Sequence, residues 1–91
     1  MTGAQILKAL DRYIADFKAS AITPKRFPAE KSGPTTGEAM EHAYWMALET
    51  RAFAESSPHK AMRWLCFIQG VMWSNYDSTI DEFKDDNRSP P

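Results

Sequence analysis

This 91-residue chain has little of what most catalytic or secreted proteins rely on: one cysteine, four scattered glycines, two histidines and no excess of charge of either sign. A single cysteine, Cys66, forms no internal disulfide, and nothing at the amino terminus has the charged, apolar, small-residue order of a secretion signal. The expectation is a reducing cytoplasm. Eleven Lys and Arg against twelve Asp and Glu leave no overall field for a long nucleic acid or an anionic membrane. The most apolar run, residues 61 to 73, falls short of the roughly 20 residues that a membrane-spanning helix needs and is broken by Arg63 and Gln69. It reads as core. No phosphate-binding glycine loop, no Gly-x-Ser-x-Gly elbow and no His-Glu-x-x-His run is present, and there is no internal repeat or strand-like alternation.

What the chain has is helical periodicity and aromatics. An apolar share of 43% and a charged share of 25% suit one small globular domain, residues 1 to 91. Thr2 with Gln5 has the form of a capping box, followed by Ile6, Leu7, Leu10, Tyr13, Ile14 and Phe17, which predicts a first helix over about residues 3 to 19. Between residues 20 and 34 the periodicity stops, and Pro24, Pro28, Gly33 and Pro34 make a proline-rich linker with Ile22 and Phe27 as its anchors.

Thr35 with Glu38 begins a second helix, residues 36 to 55, and Ser57-Pro58 ends it and starts a third over 58 to 74. These two form an antiparallel hairpin. Ser78 with Asp81 is expected to cap a short last helix holding Ile80 and Phe83, with the stretch from Asp85 onward fraying. The fold class is therefore all-α: a short first helix, a linker, a hairpin and a short last helix, the last two spanning residues 35 to 86, with a tail over 87 to 91.

The third helix is apolar nearly all round, so it is either central or covered by another copy or partner. Gly70 inside it costs about 1 kcal/mol relative to Ala, which suggests close approach of the second helix. Trp45, Phe53, Trp64, Phe67, Trp73 and Tyr76 point too many ways to share one small core, and Trp45, Trp64, Phe67 and Trp73 are the candidates for self-association into a homo-oligomer.

Glu38 and His42 stand four apart and could place two metal ligands on one face. No partner motif completes a coordination sphere, and a solvated acidic face with Glu41 and Glu49 is the reading preferred. Cys66 lies inside the apolar run, where a thiol is expected to be buried and inert rather than nucleophilic. No enzyme activity, metal or cofactor is expected. Two small basic clusters, Lys25 and Arg26 with Lys31 in the linker and His59, Lys60 and Arg63 at the start of the third helix, are candidates to receive a phosphate or an acidic side chain. Tyr13, and Trp64 beside Arg63, are candidates to stack on a base.

The stretch His42-Ala43-Tyr44-Trp45-Met46-Ala47-Leu48-Glu49 resembles small accessory proteins of tailed bacteriophages and prophages. So do the runs from Lys60 to Trp73 and from Asp81 to Arg88. The resemblance spans the second half of the chain and implies a protein working in a bacterial cytoplasm, where such products bind and block host or defence proteins. The Arg63-Trp64-Leu65 triplet and the Gln69-Gly70 pair in the second arm of the hairpin are also similar to those of phage helical sponges that sequester a cyclic nucleotide signal. That likeness implies the alternative ligand, a cyclic nucleotide.

Overall fold

A computed structural model describes residues 1–75 and 79–88, and the chain is all-helical over them: α1 (Gly3–Ala19), α2 (Thr36–Phe53), α3 (Pro58–Asn75) and α4 (Ile80–Asn87). Each of α1, α2 and α4 opens on a reciprocal capping box, Thr2 with Gln5, Thr35 with Glu38 and Thr79 with Glu82. The threonine oxygen accepts from an otherwise orphaned helical N–H, and the Gln or Glu side chain returns a bond to the cap. The last cap differs from the expected one. Thr79 and Glu82 do what was assigned to Ser78 and Asp81, one residue later, and Ser78 and Tyr76 lie outside the described residues.

α1 ends without a glycine. Ala21 takes a left-handed φ of 57°, which lets the Ile22 N–H reach the Phe17 carbonyl (3.0 Å) and the Ala21 N–H reach that of Lys18 (3.0 Å). This Schellman-type closure normally recruits glycine, because a Cβ in that conformation costs about 1 kcal/mol. Ile22 is carried back against the core, so the chain turns into the linker already anchored.

The core is a three-helix contact. α1 contributes Ile6, Ala9, Leu10, Tyr13, Ile14 and Phe17. α2 contributes Met40, Ala43, Tyr44, Met46 and Ala47, and α3 contributes Ala61, Leu65, Ile68 and Met72. Phe17 stacks on Tyr44 with ring centroids 5.2 Å apart. The buried Thr50 hydroxyl donates to the Met46 carbonyl (2.6 Å), so that a polar atom in the seam is satisfied within its own helix.

The close approach expected at one glycine occurs at another. Gly70, read as the point where α2 passes close, has nothing within 4 Å of where a side chain would begin, and it is exposed. The close approach is at Gly3, where a Cβ would stand 2.8 Å from both the Ala54 carbonyl oxygen and the Glu55 Cα at the α2–α3 corner. Cys66, expected to be buried, is exposed as well. The physical reason is shared: α3 buries Ala61, Leu65, Ile68, Gln69 and Met72 on one face and leaves Cys66 and Gly70 on the other, although both faces are apolar in sequence.

α4 is held by a polar chain that crosses three helices. Asn87 and Gln69 exchange two side-chain amide bonds (2.7 and 3.0 Å), and Gln69 also donates to the Tyr13 hydroxyl (2.9 Å). That hydroxyl in turn donates to Asp86 (2.6 Å), whose other oxygen pairs with Arg12. Phe83 packs edge-on against the Tyr13 ring at 6.0 Å. Residues 85 to 87 therefore belong to an anchored helix rather than to a frayed tail, because Asn87 completes the bonding of the buried Gln69 and Asp86 accepts from the Tyr13 hydroxyl and pairs with Arg12.

Two stability changes follow. Tyr13→Phe keeps the packing but removes the donor to Asp86 and an acceptor for Gln69, and is expected to lower the unfolding free energy in urea by about 1.5 to 3 kcal/mol. Ala21→Gly relieves the left-handed alanine and should raise stability by about 0.5 to 1 kcal/mol, whereas an unchanged or lower urea midpoint would show that Ala21 carries no such cost.

Candidate functional site

The linker does not hang free. Its Lys25 N–H donates to the Glu41 carbonyl (3.1 Å), and its Phe27 N–H donates to Nδ1 of His42 (3.0 Å). These bonds lay residues 25 to 27 across α2, and the chain then turns at Pro28, whose carbonyl accepts from the Lys31 N–H (3.1 Å). Below the linker, α2 and α3 present a row of rings. Phe67 meets His42 edge-on at 6.3 Å, His42 lies 5.4 Å from Trp45, Trp45 lies 6.2 Å from Trp64, and Trp64 meets Phe53 edge-on at 5.2 Å.

Between linker and rings is a largely apolar cleft of about 480 Å³, with Phe27, Pro28, Met46 and Val71 completing the wall. That size accommodates one large side chain with its neighbours, or a small ring compound. Cations stand at two places along the row, over its central ring and at its Phe53 end. The Arg26 guanidinium carbon is 5.2 Å from the Trp45 ring centroid, and Lys60 Nζ is 4.4 Å from that of Phe53 and 5.5 Å from that of Trp64. Lys31 is the second positive side chain of the cleft wall, beside Arg26.

The residues singled out in the sequence divide accordingly. Arg26 reaches the cleft, and Lys60 reaches the aromatic row. Lys25 is exposed and contributes its backbone, and His59 and Arg63 are exposed on the outer surface of α3. Trp64 is served by Lys60, one turn earlier, rather than by the adjacent Arg63.

Tyr13 is a correction. It is 2% exposed and bonded to Gln69 and Asp86, so it offers no face to a base, and burial holds its hydroxyl above the ordinary tyrosine range. Of the four aromatics assigned to self-association, Trp45 and Trp64 are half-buried in the row, whereas Phe67 and Trp73 are 55% and 53% exposed. Lys31, grouped in the sequence with Lys25 and Arg26, lines the cleft, whereas Met46, Val71 and Phe27 were not foreseen as site residues. Only Phe27 carried a sequence signal, as a lone aromatic in a polar linker.

Glu38 and His42 do not act as a pair. The Glu38 carboxylate is spent on the Thr35 cap, whose bonds hold it below the usual carboxylate range, and His42 Nδ1 accepts from the linker. Among the described residues no three His, Cys, Asp or Glu side chains gather as metal ligands would, and no helix is long and apolar enough to cross a membrane. Comparison with protein-family models, with curated proteins and with solved structures finds no match to this chain.

Burial, and then the nearby Arg26 charge, hold the His42 pKa below its ordinary value of 6.5. Above 6.5 the ring is neutral in both folded and unfolded chains, and the Phe27 bond contributes fully. As pH falls through this value the unfolded chain takes up a proton that the folded one resists, and the contribution is lost by the folded pKa. The Phe27 amide protection factor, followed by hydrogen exchange from about pH 7.5 to about pH 5, should therefore fall, and should lose its pH dependence in His42→Phe. A factor constant across that range would mean that the linker is not held through this imidazole.

Proposed function

We propose that the chain is a non-enzymatic binding protein whose cleft captures a partner protein by an apolar or aromatic anchor set among acidic residues. The observation that carries this reading is a ring-lined cleft with Arg26 stacked on its floor and Lys31 in its wall. A buried anchor in an aromatic pocket supplies affinity, and cations at the rim select an acidic surround and speed the encounter. The pocket's groups suit binding rather than bond-breaking: its one titratable ring, His42, is occupied by the linker.

The resemblance to phage accessory proteins makes a host or defence protein of the bacterial cytoplasm the partner, blocked or redirected by occupancy of its anchor segment. A cyclic nucleotide is the second reading, favoured by the same stacked Arg26, since a base on the ring row would leave phosphate within reach of Arg26 and Lys31. Tyr13 has no part in it.

Arg26→Glu tests both, because Arg26 is exposed and its loss leaves the core intact. The tagged wild-type chain should retain a host protein in fixed ratio from a bacterial lysate, and Arg26→Glu should weaken that retention about tenfold or more with an unchanged circular dichroism spectrum. Equal retention by both chains removes the cleft from the binding surface. Calorimetric heat with cyclic di- or trinucleotides, abolished by Arg26→Glu, would transfer the site to the second reading.

A further inference from the structure

One strip of α3 is left uncovered by the chain's own packing. Cys66, Phe67, Gly70, Trp73 and Ser74 are all exposed, and their three- and four-residue spacing puts them on one face. Ile80 continues it on α4, beside Trp73 and Gly70 in a shallow apolar hollow. The strip is symmetric about Gly70. Phe67 stands three residues before it and Trp73 three after, Cys66 four before and Ser74 four after, with open space where a Gly70 side chain would be.

We propose that a second copy of the chain covers this face, with the two α3 helices crossing antiparallel at Gly70. Two-fold pairing of this kind matches each residue before the crossing point with its counterpart after it. Phe67 packs against the partner's Trp73 and Cys66 lies against the partner's Ser74. The two glycines meet where missing side chains let the backbones approach.

Charge agrees with the direction. The exposed, basic start of α3, with His59 and Arg63, runs toward the end of the partner at which exposed Asp81 opens α4, whereas a parallel pairing would bring like ends together. Phe67 also belongs to the cleft wall, so the partner's Trp73 extends the rim of the binding site. Antiparallel self-pairing thus explains three features together: an exposed thiol, an exposed mid-helix glycine and two exposed aromatics.

Ser74→Cys tests the direction as well as the dimer. In the antiparallel crossing the introduced thiol faces the partner's Cys66, while two wild-type Cys66 residues lie about 12 Å apart along the helix axis, beyond disulfide reach. Copper-phenanthroline oxidation is expected to convert Ser74→Cys to a covalent dimer at least about tenfold faster than wild type. Adding Gly70→Leu should abolish that advantage with an unchanged circular dichroism spectrum. Wild-type cross-linking as fast as that of Ser74→Cys would overturn the antiparallel arrangement. A sedimentation mass of 10.3 kDa, that of one chain, maintained up to about 100 μM would overturn the dimer.

Discussion

The arrangement rests on a seam of small residues. Ala43, Ala47, Thr50 and Ala54 on the α2 side and Ala61 on α3 are fully buried, and the separation of packed helices follows the size of the side chains between them. A seam of alanines leaves no room for indoles between α2 and α3. The bulky rings on these helices are displaced to the flank, where Phe67, His42, Trp45, Trp64 and Phe53 line up in one row. The excess of aromatics over what so small a core holds is thus the material of the cleft.

On the opposite side, α1 closes the core with its own larger side chains, and the polar chain through Gln69 sets where α4 rests. A buried glutamine left unsatisfied is costly, and each of its donors and acceptors here has a partner on α1 or α4. Such a network tolerates one docking position. A helix of eight residues has little propensity to form alone, so its place is owed to Phe83, Asp86 and Asn87 rather than to its sequence.

The linker converts a flank into a site. Two backbone hydrogen bonds to α2, one of them to an imidazole, hold it over the row of rings, and its prolines reduce the freedom it would lose on binding. Arg26 and Lys31 ride on it, so the charge of the cleft and the geometry of the linker are coupled through His42. The exposed face of α3 adjoins this cleft at Phe67, so the two surfaces lie side by side on one helix.

Helix positions and fold class were legible in the sequence because they depend on local chemistry. Threonine caps, the Ser-Pro start of α3, the apolar stripe of α1 and the proline-rich break each act within a few residues, and α1 to α3 begin and end within two residues of where those signals put them. Facing was not legible for α3, since an all-apolar helix has no preferred side until α1 and α2 choose one. That choice exposed Cys66 and Gly70 and left Phe67 and Trp73 outside. Tyr13 was legible as a member of the apolar stripe of α1 but not as spent inside the core, because its hydroxyl is satisfied by Gln69 and Asp86, 56 and 73 residues away. The partnership of His42 with the linker and the stacking of Arg26 on Trp45 likewise join segments whose meeting no local pattern encodes. Sequence alone determined which segments are helical and how α1 to α3 begin. Tertiary packing decided which faces are buried, and with them which rings and charges form a cleft.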